Sequence, residues 1–280
     1  MTENPLVSTE WLAEHLNAPD LVVLDASMYL PNAGRDANAE YLAEHIPGAV
    51  RFDIDDISDP NSDLPHTLPA PHVFSSKMRK LGVGDGQTVV VYDSAGFYAA
   101  PRAWWMFKVM GAEQVFILNG GLPKWKAEGR PVEDGIVTRP ERHFTARLNH
   151  GAVADLSDVK QMVQDKSRQI LDARPAARFK AEIPEPRAGL RGGHMPGALN
   201  TPSTGFTAED GTFLDPEELK KIFVDAGVDL DKPVTTSCGS GVTAAVITLA
   251  LTLVGHKDHT LYDGSWTEWG GRDDTEVVTG

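Results

Sequence analysis

Cysteine is almost absent from this chain of 280 residues, which contains a single one, Cys238. One cysteine excludes a disulfide within the chain and a metal site built from several of its own thiolates. Long apolar runs are also missing, since no stretch of about 18 consecutive apolar residues could span a membrane. Residues 1–5 lack the basic and apolar regions of a signal peptide, so we expect a cytoplasmic protein with no membrane partner.

Basic residues are scarce as well. The chain has 26 lysines and arginines against 40 aspartates and glutamates, a formal net charge of −14. This balance disfavours a nucleic-acid partner, because such partners need a basic surface. The nine histidines show no metal-ligand spacing, and we expect neither a metal nor a cofactor. A length of 280 residues is enough for one large or two ordinary domains, and a hydrophobic content of 41% supports buried cores in them.

The sequence repeats itself in five places that follow one another in the same order. The matching segments are 24–26 with 171–173, 45–49 with 194–198, 81–83 with 226–228, 89–93 with 234–238 and 119–125 with 263–269. Such self-similarity is typical of a duplicated structural unit. We therefore predict two copies of one domain, at 1–135 and 155–280, joined by a linker at 136–154. The linker is expected because residues 128–154 contain Gly129, Pro131, Gly135, Pro140 and Gly151 together with many charges.

Short apolar strands alternate with helical stretches in both copies. Strands are expected at 21–24, 88–92, 115–118, 169–172, 233–237 and 259–262, and helices at 8–16, 72–81, 99–110, 157–165, 215–226 and 242–253. This alternation predicts an α/β fold in which each copy has a mostly parallel central sheet flanked by helices. In such sheets the functional residues lie at the carboxyl ends of the strands.

Cys238 lies at one of those ends. It follows the β-branched run 234–237, and the turn Gly239-Ser240-Gly241 leads from it into an apolar helix. Unpaired N–H groups and the positive dipole end of that helix favour the nucleophilic thiolate. A buried structural cysteine is the alternative, and it is the usual fate of a lone cysteine. The first copy has Asp93 at the matching position, so we expect that copy to be catalytically inert.

Three motifs give the chain a resemblance to a known family. They are Asp172-Ala-Arg174, Gly193-His-Met-Pro-Gly-Ala198 and the loop Cys238-Gly-Ser-Gly-Val-Thr243. With the duplicated α/β domain, they resemble the two-domain rhodanese-like sulfurtransferases over essentially the whole chain. Within that family the loop is similar to that of members that take sulfur from 3-mercaptopyruvate. Thiosulfate-using rhodaneses have basic residues directly after the cysteine, where this chain has Gly239 and Ser240.

The resemblance implies a reaction and a set of substrate-binding residues. Cys238 would accept the donor's sulfur as a persulfide, release pyruvate and pass the sulfur to a thiol, a thioredoxin-like protein or cyanide. Arg178 and Arg187 match the family's substrate-binding arginines, whose planar guanidinium groups can each hold the carboxylate of a 2-oxo acid thiol donor with two hydrogen bonds. The loop residues expected to contact the substrate are Gly239, Gly241, Val242 and Thr243.

A catalytic relay is also implied by the resemblance. The segment from Arg51 to Pro69 is similar to one that delivers an aspartate and a histidine to the active site. Mapped by position, Asp55 would orient His66, and His66 would contact Ser240 to move protons during the reaction. Spacing alone does not distinguish His66 from an exposed loop histidine. Ser240 is either a member of this relay or simply a hydrogen-bonding residue of the loop.

Three other functions compete with this one. Cysteine phosphatases share the cysteine–loop–helix arrangement, but they need an arginine six positions after the cysteine, where this chain has Ala244. A thiosulfate:cyanide sulfurtransferase is the nearest enzymatic alternative. A persulfide carrier without catalytic activity is the other alternative, and the two arginines and His66 favour a small-molecule donor instead.

Overall fold

The computed structural model describes residues 4–30 and 33–280, so residues 1–3, which form part of the segment examined for a signal peptide, lie outside it. The chain forms two compact units. The first comprises the chain up to Pro60, Leu68–Leu148 and Thr207–Phe213, and the second comprises Asn61–Thr67, Asn149–Phe206 and Leu214–Gly280. Each unit therefore includes a short segment from the other half of the sequence.

These bounds differ from the expected division at 135 and 155. Residues 136–148, expected as part of a linker, belong to the first unit. The ring of Phe144 is buried there and packs 5.7 Å from that of Phe74, and the Thr145 hydroxyl donates to Asp85 at 2.7 Å. An aromatic side chain in this segment thus contributes to the core of the first unit, a packing that the charged composition of the segment did not reveal.

Each unit is built on one sheet of five strands, all parallel. The first sheet has β1 (Leu6–Val7), β2 (Leu21–Asp25), β3 (Val50–Arg51), β4 (Thr88–Tyr92) and β5 (Val115–Leu118), in the order β1-β5-β4-β2-β3. The second has β6 (Val153–Ala154), β7 (Gln169–Asp172), β8 (Leu199–Asn200), β9 (Val234–Ser237) and β10 (His259–Tyr262), in the order β6-β10-β9-β7-β8. The two orders are the same pattern, which confirms the α/β fold and the tandem duplication.

Helices connect the parallel strands, as such sheets require. Those of the first unit are α1 (Thr9–His15), α2 (Ala37–Ala43), α3 (Ile54–Ile57), α4 (Pro71–Lys80), α5 (Ala100–Val109) and α6 (Gly121–Ala127). Those of the second are α7 (Leu156–Asp165), α8 (Ala176–Phe179), α9 (Pro216–Asp225), α10 (Ala244–Leu253) and α11 (Ser265–Trp269), with 3-10 turns at 150–152 and 203–206. Within residues 4–30 and 33–280, no helix is both long and apolar enough to cross a membrane.

The centre of each sheet is its most buried part. β4 and β9 are the middle strands, and all four residues of β9 are buried. The helix that follows β9, α10, is apolar around its circumference, and its residues from Ala244 to Leu251 are buried. Because both β9 and α10 are buried, the loop that connects them is held in place at both ends. This loop contains Cys238.

Candidate active site

Cys238 lies immediately after β9, at the carboxyl end of the central strand, and only 1% of its surface is exposed. Its backbone is held by the start of α11. The Cys238 N–H donates to Ser265 Oγ at 3.2 Å, and the Trp266 N–H donates to the Cys238 carbonyl at 2.9 Å. Gly241 has φ +80°, a left-handed conformation that glycine adopts without strain and that turns the loop into α10.

Four backbone N–H groups of this loop are available as hydrogen-bond donors. Across the described ranges, no acceptor is found for the amides of Gly239, Ser240, Val242 and Thr243. Thr243 precedes α10 without capping it through its side chain. Four uncommitted donors beside a helix N-terminus form a concave site suited to an anion.

The matching loop of the first unit contains such an anion from the protein itself. The Asp93 carboxylate accepts hydrogen bonds from the amides of Ala95 at 3.0 Å, Ala99 at 2.8 Å and Ala100 at 2.8 Å. Burial raises the pKa of Asp93, although these three amides oppose the rise. Because Asp93 matches Cys238 in the repeat, the first unit displays how this loop surrounds a negative charge.

Arg178 lies beside the cysteine loop. It belongs to the short helix α8, and 14% of its side chain is exposed. A Cβ atom at position 239 would lie 3.2 Å from the Arg178 Nη2 atom, so the lack of a side chain at Gly239 lets the guanidinium approach the loop backbone closely. The structure thus brings Arg178 next to the residue that follows Cys238.

A chain of buried ion pairs holds this guanidinium. Arg174 Nη2 lies 2.7 Å from Asp172 Oδ2, and Arg174 Nη1 lies 2.8 Å from Glu185 Oε1. The other oxygen of Glu185 accepts a short hydrogen bond from Arg178 Nη2. Burial would lower the pKa of Arg174, but the two carboxylates outweigh burial and raise it. Arg174 also stacks on Trp266 at 4.1 Å, so it is a structural residue.

Arg187 lies in the loop that follows α8 and is half-buried. In the described part of the chain its guanidinium forms no hydrogen bond or ion pair. A surface cleft of about 590 Å³ is lined by Arg187 and Glu185, together with other residues of the segment 181–192. Cys238 and Arg178 do not line this cleft. Arg187 therefore offers an uncommitted cation, but the structure does not bring it into contact with the cysteine loop.

Ser240 and His66 do meet. Ser240 Oγ lies 2.9 Å from His66 Nδ1, and both residues are 7% exposed. His66 has φ +64° and comes from the segment 61–67, which packs within the second unit. Asp55 is the second residue of α3 in the first unit, and its N–H donates to Asp53 Oδ1 at 3.0 Å. The orientation of His66 by Asp55 stays a prediction.

Sequence reasoning missed two residues that this geometry makes prominent. The Glu185 carboxylate accepts hydrogen bonds from both Arg174 and Arg178. In the motif Glu185-Pro-Arg187, the sequence pointed only to the arginine as a functional residue. Ser265 holds Cys238, and the repeat that aligns 119–125 with 263–269 already contained this position. No group of three or more histidines, cysteines or carboxylates in residues 4–30 and 33–280 could hold a metal.

The second unit has a buried cysteine at the end of the central strand of a five-stranded parallel sheet, and the first unit repeats that sheet without the thiol. This arrangement defines a class of protein. Rhodanese-like domains match residues 8–128 and 155–272, and the chain belongs to the rhodanese-like family. This confirms the resemblance predicted from the three motifs.

More particular likenesses cover the whole chain. It is 48% identical over 278 residues to the 3-mercaptopyruvate sulfurtransferase of Escherichia coli K12, covering 99% of each chain. A crystal structure of SseA from Escherichia coli, described as a 3-mercaptopyruvate sulfotransferase, superposes with a TM-score of 0.87 at 46% identity, covering 94% of this chain and 99% of that one. A thiosulfate sulfurtransferase of Rattus norvegicus is 43% identical over 272 residues, 94% of this chain and 91% of the relative.

Proposed function

We propose that this chain is an enzyme that transfers the sulfur of 3-mercaptopyruvate to Cys238 and from there to an acceptor. The observation that supports this most is the cysteine loop, whose amides at Gly239, Ser240, Val242 and Thr243 are uncommitted beside the N-terminus of α10, while the matching loop of the first unit surrounds the Asp93 carboxylate. By position, the amide of Ala245 corresponds to that of Ala100 but donates to the Val242 carbonyl at 3.2 Å, so the four uncommitted amides of the loop are the donors available to an anion at Cys238. The same donors would stabilise a thiolate and then a persulfide anion at Cys238.

In the first half-reaction the Cys238 thiolate attacks the donor's sulfur. A sulfur–sulfur bond forms, the carbon–sulfur bond breaks, and its electron pair passes to pyruvate as the enolate. The proton of the donor thiol moves to the enolate carbon, so the products are Cys238–S–S⁻ and pyruvate. Ser240 and His66, hydrogen-bonded to each other, are suited to handle this proton.

In the second half-reaction an acceptor thiolate attacks the outer sulfur of the persulfide. The acceptor becomes a persulfide, and the Cys238 thiolate returns to its starting state. A thioredoxin-like dithiol or cyanide can react in the same way, since each is a soft nucleophile. We expect this chemistry in the cytoplasm, because a reducing compartment keeps the single thiol free.

Donor selection follows from charge. The two residues after Cys238 are neutral and small, while Arg178 lies beside the loop and Arg187 has an uncommitted guanidinium. We infer that the arginines hold the carboxylate and ketone of a 2-oxo acid. A dianionic sulfonate such as thiosulfate would find no cation in the loop itself. The relay role of Asp55 is part of the proposal and rests on sequence position alone.

Parallel kinetics with 3-mercaptopyruvate and thiosulfate on one preparation test the donor. We expect pyruvate release from 3-mercaptopyruvate with a kcat/KM at least about tenfold above that for thiosulfate, a difference of ~1.4 kcal/mol. The intact mass should rise by one sulfur atom, located at Cys238, and Cys238→Ser should abolish turnover. Faster turnover of thiosulfate would favour the thiosulfate:cyanide sulfurtransferase, and a persulfide without pyruvate release would favour the carrier.

Arg187→Lys provides the matched test of the carboxylate clamp. Lysine keeps the charge but cannot form two parallel hydrogen bonds, so KM for 3-mercaptopyruvate should rise about tenfold. Persulfide formation at Cys238 from inorganic polysulfide, which has no carboxylate, should change by less than about twofold. An unchanged KM would refute the role of Arg187.

A further inference from the structure

Glu185 is the least exposed charged residue among those that contact the proposed substrate-binding arginines. Only 1% of its side chain is exposed, although it lies in an irregular loop and two of its neighbours, Glu182 and Pro186, are exposed. Burying a carboxylate is costly unless several charge-assisted hydrogen bonds compensate for the lost water. Here both partners are arginines, so the contacts that stabilise Glu185 also restrain Arg174 and Arg178.

The two arginines stand in different situations. Arg174 is fully buried and fixed by Asp172, by the Gly193 carbonyl at 2.8 Å and by stacking on Trp266. It is therefore an anchor at the end of β7. Arg178 is partly exposed, and in the described chain its guanidinium contacts Glu185 alone among acidic side chains. Glu185 thus connects a fixed guanidinium to one that would otherwise be free to change rotamer.

We propose that Glu185 is a positioning residue for donor binding, which holds the Arg178 guanidinium against the Gly239 backbone in the orientation that receives the donor. The Nε and Nη2 atoms of Arg178 face Glu185, at 3.3 Å for Nε–Oε1. Its Nη1 edge remains available for a substrate oxygen, because no hydrogen bond from Nη1 is found within the described ranges. Preorganising the side chain in this way lowers the entropy lost when the donor binds.

This inference rests on the proposed function, in which Arg178 binds the donor. It adds a residue that acts through Arg178 and does not touch the substrate. A second effect opposes it, because Glu185 also cancels one positive charge near the donor. The positioning effect dominates, since the amide of a glutamine would turn an N–H group toward Arg178 Nη2 in place of an acceptor. Removing the carboxylate should therefore weaken binding despite the gain in net positive charge.

A double-mutant cycle tests the proposal on the full chain, with wild type, Glu185→Gln, Arg178→Ala and the double variant. In the wild-type background Glu185→Gln should raise KM for 3-mercaptopyruvate about tenfold and lower kcat by less than about threefold. In the Arg178→Ala background the same substitution should change KM by less than about twofold, because the residue through which it acts is gone.

Glu182→Gln is the matched control. Glu182 lies three positions earlier in the same loop, lines the same cleft and forms no ion pair in the described chain. Its substitution removes the same charge without touching Arg178, so KM should change by less than about twofold. Glu185→Asp keeps the charge but shortens the reach, and it should raise KM as Glu185→Gln does. This second variant keeps the test open if Glu185→Gln fails to fold.

A structural role predicts other results. If Glu185→Gln raises KM equally in both backgrounds, or slows persulfide formation from inorganic polysulfide as much as from 3-mercaptopyruvate, the proposal is overturned. The proposed function fails separately, when wild type releases no pyruvate. Arg178→Ala without any effect on KM would refute Arg178 as a donor-binding residue, and the positioning role of Glu185 with it.

Discussion

Ser265 is one of the side chains that distinguish the surroundings of the cysteine loop in the second unit from those of its counterpart in the first. Ser265 has φ +49°, a left-handed conformation that costs a residue with a Cβ atom about 1 kcal/mol. The matching residue is Gly121, with φ +57°. In both units the next residue donates to the loop carbonyl, from Leu122 to Asp93 at 3.1 Å and from Trp266 to Cys238 at 2.9 Å. The strain at Ser265 accompanies a hydroxyl that accepts the Cys238 N–H.

We predict that Ser265→Gly and Ser265→Ala will differ in stability although both lose the hydroxyl. Each leaves the buried Cys238 N–H without its acceptor, which should cost about 1–3 kcal/mol. Glycine also relieves the backbone strain, so Ser265→Gly should be more stable than Ser265→Ala by about 1 kcal/mol. Denaturant unfolding of the two variants measures this difference.

Activity provides the other half of that comparison. Both variants should lose sulfur transfer by a similar factor, about tenfold, because the missing hydroxyl leaves the backbone next to the nucleophile less well held. Equal stability of the two variants would show that Ser265 is unstrained. Full activity in both would show that the hydroxyl does not position Cys238.

At the scale of elements, the N-termini of α5 and α10 differ in what lies beside their backbone N–H groups. Neither helix is capped by the side chain that precedes it. In α5 the first amides donate to the buried Asp93 carboxylate, which acts as a cap from seven residues away for Ala100. In α10 the corresponding place belongs to Cys238. The Cys238 thiol, the proposed nucleophile, thus occupies a position that favours a negative charge.

The role of Asp93 as a cap leads to a stability prediction. Asp93→Ala should lower the free energy of unfolding by about 2 kcal/mol, because it leaves the Ala99 and Ala100 amides at the start of α5, and the Ala95 amide in the loop before it, without an acceptor. Hydrogen exchange at the amides of Ala99 and Ala100 should accelerate at the same time. A suitable comparison is Asp155→Ala, which removes the capping box of α7 and should cost about 1 kcal/mol. Unchanged exchange at both amides would contradict the capping role.

Elements with a long pattern could be predicted from the sequence. The strands at 88–92, 115–118, 169–172 and 259–262 have the predicted bounds, and the ends of the predicted helices differ from prediction by at most two residues. The edge strands β1, β3, β6 and β8 could not be found, since two residues show no alternation of apolar and polar side chains. The four-residue helices α3 and α8 are likewise too short for a helical period.

The site could be predicted only where residues adjoin in sequence. Cys238 and its loop are such a set, and the structure places them where the strand–glycine–helix pattern indicated. The contact of Ser240 with His66 spans 174 positions and followed from the family resemblance. Glu185 escaped notice because its significance depends on burial, and a carboxylate in a loop of prolines and charges looks like a solvated residue until the fold surrounds it.

For the whole molecule, carboxylates and tyrosines set the range of pH in which the fold is stable. Hydrogen bonds from Thr9 and Arg130 lower the pKa of Glu128 from 4.5 to about 2. A lowered carboxylate pKa means that the unfolded chain binds protons more readily, so its contribution is present above about pH 4.5 and is lost as the pH falls toward 2. Burial raises the pKa of Tyr92 and Tyr262 above 10.0, and their contribution is present below pH 10 and lost above it.

We therefore predict a broad plateau of stability between about pH 5 and 9, with losses at both ends. Urea unfolding at intervals from pH 3 to 11 measures the plateau. Glu128→Gln should reduce stability slightly at pH 7, and its effect should shrink as the pH falls from about 4.5 toward 2, which extending the urea series down to pH 2 would measure. A loss that was the same at both pH values would show that packing, rather than charge, is responsible.

The segment 61–67 indicates an order of events in the evolution of the duplicated chain. An ancestor with one copy of this domain could be complete in itself, but the second unit now includes residues encoded in the first half of the gene, and one of them, His66, hydrogen-bonds to Ser240. A fragment that begins at 149 has lost that histidine, however well its sheet folds. Once a segment of the first copy had become part of the second unit, separating the two copies into different genes would lose the contact between His66 and Ser240.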